Sequence, residues 1–371
     1  MNTNTLLEKL QDDIVICAEG YVFELERRGY VKSGPYVPEV VLDYPDAVKE
    51  LHREFVRAGS DVVLALTYYA HRDKMKVVGR ELDAERLNRQ AVRLAGEVAR
   101  ESGKLVAANI CNTWVYDPGN PEETGKEVRA MYEEQLSWAV DEGVDYVVAE
   151  TFDWFAEADI ALDVIKGFNL PAVITFTAVT STTADGYAFD DACRILSDKG
   201  ADVVGLNCGR GPSTLLPVLA KVVESVQCPV AALPVAYRTD ADHLSFIDLK
   251  QEGREAGFPA ELDPFVLTRS EMAEFALAAR DLGVRYIGVC CGGAPHHVRA
   301  MAEALGKEVP ASRYSPDIAK HAVLGAEDVV KDYRTRFLKE HHETLFWIIG
   351  VRAIALTPII KQGTSLVRSL P

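Results

Sequence analysis

Three cysteines stand where thiol or metal chemistry would need them. Cys208 closes the apolar run Val203-Val204-Gly205-Leu206-Asn207-Cys208, and Cys290 and Cys291 close Ile287-Gly288-Val289-Cys290-Cys291, with Gly292-Gly293 behind them. Three thiolates at ~2.3 Å around one ion, with a fourth position open, form a catalytic rather than a structural zinc arrangement. Adjacent cysteines form a disulfide only through a strained ring, and the glycines suit a backbone that must approach a metal closely. Neither segment is a C-x-x-C signature, so spacing alone leaves two readings, a metal site and packed core thiols. Cys17, Cys111, Cys193 and Cys228 read as small buried hydrophobes.

The elements that would carry these thiols follow a regular rhythm. Short runs rich in Val, Ile and Ala fall at residues 14–17, 62–66, 105–110, 146–149, 172–176, 203–206, 230–233 and 286–289. They are apolar on nearly every residue, as strands covered on both faces must be. Amphipathic stretches separate them at 46–58, 83–102, 126–142, 156–167, 189–199, 213–226, 269–282 and 295–305. Eight strands alternating with eight helices predict an α/β fold, the (β/α)8 TIM barrel, and no G-x-G-x-x-G follows the first strand to favour a dinucleotide-binding sheet. Strands six and eight would then flank strand seven and bring the thiols to one rim. Two long connections, 21–45 and 236–264, follow strands and belong on that same face. The rhythm stops near Pro310, which divides a barrel domain, 1–309, from a helical C-terminal extension, 310–371. The apolar stretch 344–360, interrupted by Arg352 and Pro358, reads as a buried helix or one that docks subunits of a homo-oligomer rather than a membrane span.

The chain of 371 residues carries 40 Lys and Arg against 56 Asp and Glu, a net charge of −16. Such a surface repels phosphate backbones and anionic lipid, so neither nucleic acid nor membrane is an expected partner. The first thirteen residues lack a basic segment followed by an apolar one, and seven cysteines without such a leader point to the reducing cytoplasm.

Asn207-Cys208 together with Gly288-Val289-Cys290-Cys291-Gly292-Gly293 resembles the zinc signature of the homocysteine S-methyltransferases. The segments from Gly20-Tyr21-Val22-Phe23 to Ser33-Gly34-Pro35, Leu51-His52-Arg53-Glu54-Phe55, and Gly283 to Gly288 resemble the betaine-using branch. The resemblance spans residues 14–305. It implies a barrel, Zn2+ held by Cys208, Cys290 and Cys291, and methyl transfer from an onium donor to a thiol acceptor. Tyr36 and Tyr69 match positions of the branch's aromatic cage, with Tyr68 beside them; the first is more usually tryptophan. An onium is held by aromatic faces through cation–π attraction. Trp114, just past the third strand, reads as a rim aromatic rather than a cage wall. Glu150 matches the glutamate that holds the amino-acid acceptor and is the expected catalytic-site carboxylate. His296 and His297 read as helix-capping or solvent-facing residues rather than ligands.

Three departures from the family pattern fall on the acceptor side. Ala18 stands where an aspartate is expected, with Glu19 next to it as a substitute; Ala65 replaces a threonine, and Thr151 replaces a tyrosine. The acceptor is therefore expected to be homocysteine or a related thiol, giving methionine or a thioether. A sulfonium donor of the S-methylmethionine type is the alternative enzyme reading. A catalytically silent zinc- or onium-binding barrel is the alternative of a different class.

Overall fold

Uninterrupted Val, Ile and Ala runs form strands only where both faces are covered, and that is how they are used. In the computed structural model, which describes residues 5–255 and 257–317, eight parallel strands close into a barrel in chain order. They are β1 (Val15–Ala18), β2 (Val62–Leu64), β3 (Leu105–Cys111), β4 (Tyr146–Phe152), β5 (Ala172–Thr177), β6 (Val203–Asn207), β7 (Val230–Leu233) and β8 (Tyr286–Val289). Every strand residue is buried. The ring closes where Val15 to Ala18 run in register with Tyr286 to Val289. Asn207 lies beside Leu233, so the last residues of β6 and β7 share one rim.

The eight outer helices are Pro45–Ala58, Ala84–Ser102, Pro121–Glu142, Phe155–Gly167, Phe189–Asp198, Pro212–Ser225, Arg269–Leu282 and Pro295–Ala304. The third begins five residues before the expected 126. Pro121 occupies its first turn, where a missing N–H costs nothing, and Glu122 and Glu123 complement the helix dipole there. Polar residues at the rim also hide strand ends from a hydrophobicity pattern. β4 runs on through Glu150 to Phe152, past the apolar run ending at 149, whereas β3 ends at Cys111, one residue beyond its expected run. The connection after β1, expected as a long loop, is partly helical at Tyr21–Arg27 and Val40–Asp43. The one after β7 carries, among the described residues, only 3-10 turns, Phe246–Asp248 and Asp263–Phe265.

Chain contacts divide the molecule after Arg313. Most of the expected extension 310–371, including the apolar stretch 344–360, lies outside the described residues. Among the described residues no helix is long and apolar enough to cross a membrane.

Candidate active site

Cys208 follows directly on β6, and Cys290 and Cys291 are the first two residues after β8. Hydrogen bonds to the end of β7 and the residues after it hold all three: Cys208 N–H donates to Leu233 O, Cys290 N–H to Pro234 O, and Ala236 N–H to Cys291 O, each at 2.9 Å. The sulfurs converge. Cys208 Sγ lies 3.6 Å from Cys291 Sγ, Cys290 Sγ lies 3.9 Å from Cys291 Sγ, and all three fall within 4.8 Å of one another. Sulfurs held at ~2.3 Å in a tetrahedron around one ion sit about 3.8 Å apart, so this donor set fits a tetrahedral soft cation. Hydrogen bonding from Cys290 and Cys291 pulls the Cys208 thiol well below its ordinary range, while their contact with Cys208 pushes Cys290 and Cys291 up.

Two carboxylates stand beside the thiols. Glu150, from β4, is almost fully buried and saturated with donors. Asn109 Nδ2 donates to its Oε1 at 2.6 Å, and Asn207 Nδ2 and Thr151 Oγ1 donate to its Oε2 at 2.7 and 3.3 Å. Burial outweighs these donors and lifts Glu150 to about 7. Glu19 follows β1, and burial together with the neighbouring Glu150 charge pushes it well above the carboxylate range. Oxygens of Glu19 and Glu150 lie with Cys290 Sγ inside 4.8 Å. Ala18, one residue earlier, is fully buried.

A cavity of about 340 Å³ opens above these groups, lined by Glu19, Glu150, the three cysteines and an aromatic wall. Tyr36 stacks on Phe23 at 5.2 Å, Tyr68 packs on Tyr69 at 4.2 Å, and Trp114 Nε1 donates to Tyr69 Oη at 3.2 Å. All three tyrosines line the cavity; so does Trp114, which is 64% exposed and sits at its edge. Lys74 reaches the same rings: its Nζ lies 4.5 Å from the Tyr69 centroid and 4.7 Å from that of Trp114. His297 is not among the residues lining the cavity. Its Nδ1 accepts from Ala294 N–H and its Nε2 meets Leu267 O, so it caps the helix Pro295–Ala304.

Backbone strain concentrates here. Among the described residues six non-glycine residues have positive φ, and five of them, Tyr36, Tyr69, Trp114, Thr151 and Cys208, line the cavity. For a β-branched residue such as Thr151 (φ 63°) that conformation is costly, and it is held by Thr151 N–H donating to Asn207 Oδ1 at 2.9 Å. Strained backbone collected around one cavity is characteristic of a functional site. Sequence reasoning did not single out Lys74, Asn109, Asn112 or Asp153, although the last three line the cavity. Polar residues at or just past the C-terminal ends of β3 and β4 were the available signal.

The family model described as homocysteine S-methyltransferase matches residues 15–305. Betaine–homocysteine S-methyltransferase 1 of Danio rerio is 38% identical over 331 residues, 86% of this chain and 80% of the relative. S-methylmethionine–homocysteine S-methyltransferase of Rattus norvegicus is 34% identical over 350 residues, 92% of each chain. The crystal structure of the homocysteine methyltransferase MmuM from Escherichia coli, metallated form, shares the fold. It has a TM-score of 0.62 at 18% identity, covering 79% of this chain and 96% of that one. A match of this extent, on a parallel barrel whose rim carries three converging thiols, makes the chain a member of the homocysteine S-methyltransferase family and a thiol S-methyltransferase.

Proposed function

We propose that this enzyme moves a methyl group from a betaine-like onium donor to homocysteine, with Zn2+ held by Cys208, Cys290 and Cys291. The observation that carries the reading is the meeting of three sulfurs within 4.8 Å, on the floor of a cavity that also holds two carboxylates and an aromatic wall. When bound, zinc would keep a thiol with an ordinary pKa near ~8.5 deprotonated at neutral pH without abolishing its nucleophilicity.

The protein's own residues account for the rest. Glu150, held by Asn109, Asn207 and Thr151, offers a fixed carboxylate to the acceptor's ammonium, and Glu19 stands beside it. Tyr36, Tyr68 and Tyr69 present ring faces to the onium, an attraction worth ~2 kcal/mol or more once water is excluded. With donor and acceptor in line, the acceptor sulfur forms the new S–C bond while the N–C bond breaks. The electron pair stays on nitrogen, which leaves as a neutral amine, so no acid catalyst is required. Ala18, Ala65 and Thr151 enlarge or neutralise the acceptor side, and Glu19 restores a carboxylate that Ala18 lacks.

A sulfonium donor is the second reading, favoured by the similar likeness to relatives named for betaine and for S-methylmethionine. The test is methionine formation from homocysteine with metal-loaded enzyme, using glycine betaine and S-methylmethionine in parallel. Dimethylglycine appearing in step with methionine supports the first reading. Turnover with S-methylmethionine alone selects the second, and no product from either overturns both.

A further inference from the structure

Glu150 and Glu19 lie side by side, yet only one has its lone pairs occupied. Glu150 accepts three hydrogen bonds. Glu19 is 9% exposed, and neither of its oxygens has a hydrogen-bond partner. A buried carboxylate with neither donors nor a counter-charge is expensive, so this side chain is stable only when it holds a proton or faces a cation. The backbone aims it at the thiols. Glu19 N–H donates to Val289 O at 2.9 Å, one residue before Cys290. A Cβ at Gly20 would collide with the Gly293 carbonyl and lie 3.2 Å from Cys290 O, so glycine is what lets the two segments pack this closely. The outcome is a Glu19 oxygen within 4.8 Å of Cys290 Sγ.

We propose that Glu19 is the fourth ligand of the ion held by Cys208, Cys290 and Cys291 while the acceptor site is empty, and that the acceptor's sulfur displaces it. This rests on the reading of the three thiols as a metal site. A carboxylate oxygen at ~2.0–2.2 Å is an ordinary zinc ligand. The neighbouring polar groups are already committed. Asn207 Oδ1 accepts from Thr151 N–H and from Thr175 Oγ1, and Asn207 Nδ2 donates to Glu150 and Thr151. Once displaced, Glu19 is left with a free carboxylate next to Glu150, where an amino-acid acceptor's ammonium needs its counter-charge. The same side chain therefore closes the site at rest and reads the acceptor when it arrives.

The test uses the full-length chain with Zn2+ and Co2+ as probes, in wild type, Glu19→Ala, Glu19→Gln and Glu19→Asp. Aspartate keeps the charge but lacks one methylene of reach. Chelator competition is expected to show Zn2+ held about tenfold or more weakly in all three variants. The visible bands of bound Co2+ shift in each variant without acceptor, and variant and wild-type spectra converge when homocysteine saturates the site. Wild-type affinity in Glu19→Asp alone would assign Glu19 a purely electrostatic role and overturn the proposal. Unchanged affinity and spectrum in all three variants overturn it too, while leaving the thiol site standing. A wild-type chain that holds no metal overturns the thiol site, and this role with it.

Discussion

Asn207 donates from Nδ2 to Glu150 Oε2 at 2.7 Å while its Oδ1 accepts from Thr151 N–H at 2.9 Å, so one amide holds both the carboxylate and the strained residue after it. The amide is fully buried and lies 3.9 Å from Cys290 Sγ. Replacing it with a side chain of similar shape and no polar atoms leaves several buried groups without partners, each costing about 1–3 kcal/mol. Asn207→Leu is expected to lose on the order of 3 kcal/mol in urea denaturation and to raise the KM for the acceptor. A loss below about 1 kcal/mol would show that Thr151 keeps its conformation without this amide.

Metal content provides the simplest check on the thiols. Protein purified without added metal is expected to carry about one zinc per chain, and Cys208→Ser to lose most of it. Cys193→Ser is the control, because that thiol lies in the core with its Sγ against Gly205 O. Equal metal in the two variants would place the ion elsewhere.

Lys74 sets a charge beside the aromatic wall. Burial pulls its pKa below the usual lysine range, and no carboxylate pairs with its Nζ among the described residues. An ammonium over Tyr69 and Trp114 occupies the faces an onium would use and repels it as well. Lys74→Met is therefore expected to tighten binding of tetramethylammonium roughly 3–10-fold at low salt, and Tyr69→Ala to weaken it by a comparable factor. Titration calorimetry reads both. Weaker binding in Lys74→Met would mean that the lysine shapes the cage instead of competing for it.

The barrel and its thiols were legible because both depend on short-range patterns. Runs such as Val203 to Leu206 must be covered on both faces, and a thiol just after each of two strands flanking a third has little choice but to converge on the rim. What escaped was set by distant partners. Glu150 falls inside β4, but a hydrophobicity pattern stops before a polar residue whose partners, Asn109 and Asn207, come from other strands. Lys74 sits in a short helix, Arg72–Met75, and its position over Tyr69 and Trp114 joins residues from two different βα connections. Nor does local sequence show that Glu19 is unpartnered, since that depends on Asn109, Asn207 and Thr151 all serving Glu150 instead.

His52 makes stability depend on pH. Its ring is fully buried against the edge of Tyr21, at 4.8 Å between centroids, and neither nitrogen has a hydrogen-bond partner. Burial therefore lowers its pKa from 6.5 to about 3. Above pH 6.5 the ring is neutral in both folded and unfolded chains and contributes no slope. Below that, the unfolded chain binds a proton that the folded one refuses until about pH 3, so stability falls as pH falls through this window. Each pH unit is worth up to about 1.4 kcal/mol. His52→Leu fills a similar volume without a titrating group. Its stability relative to wild type is expected to improve by about 2 kcal/mol between pH 7 and pH 5, read from urea midpoints at each pH. A difference that stays constant over that range would mean His52 takes up its proton inside the fold, and that the pocket around it admits water.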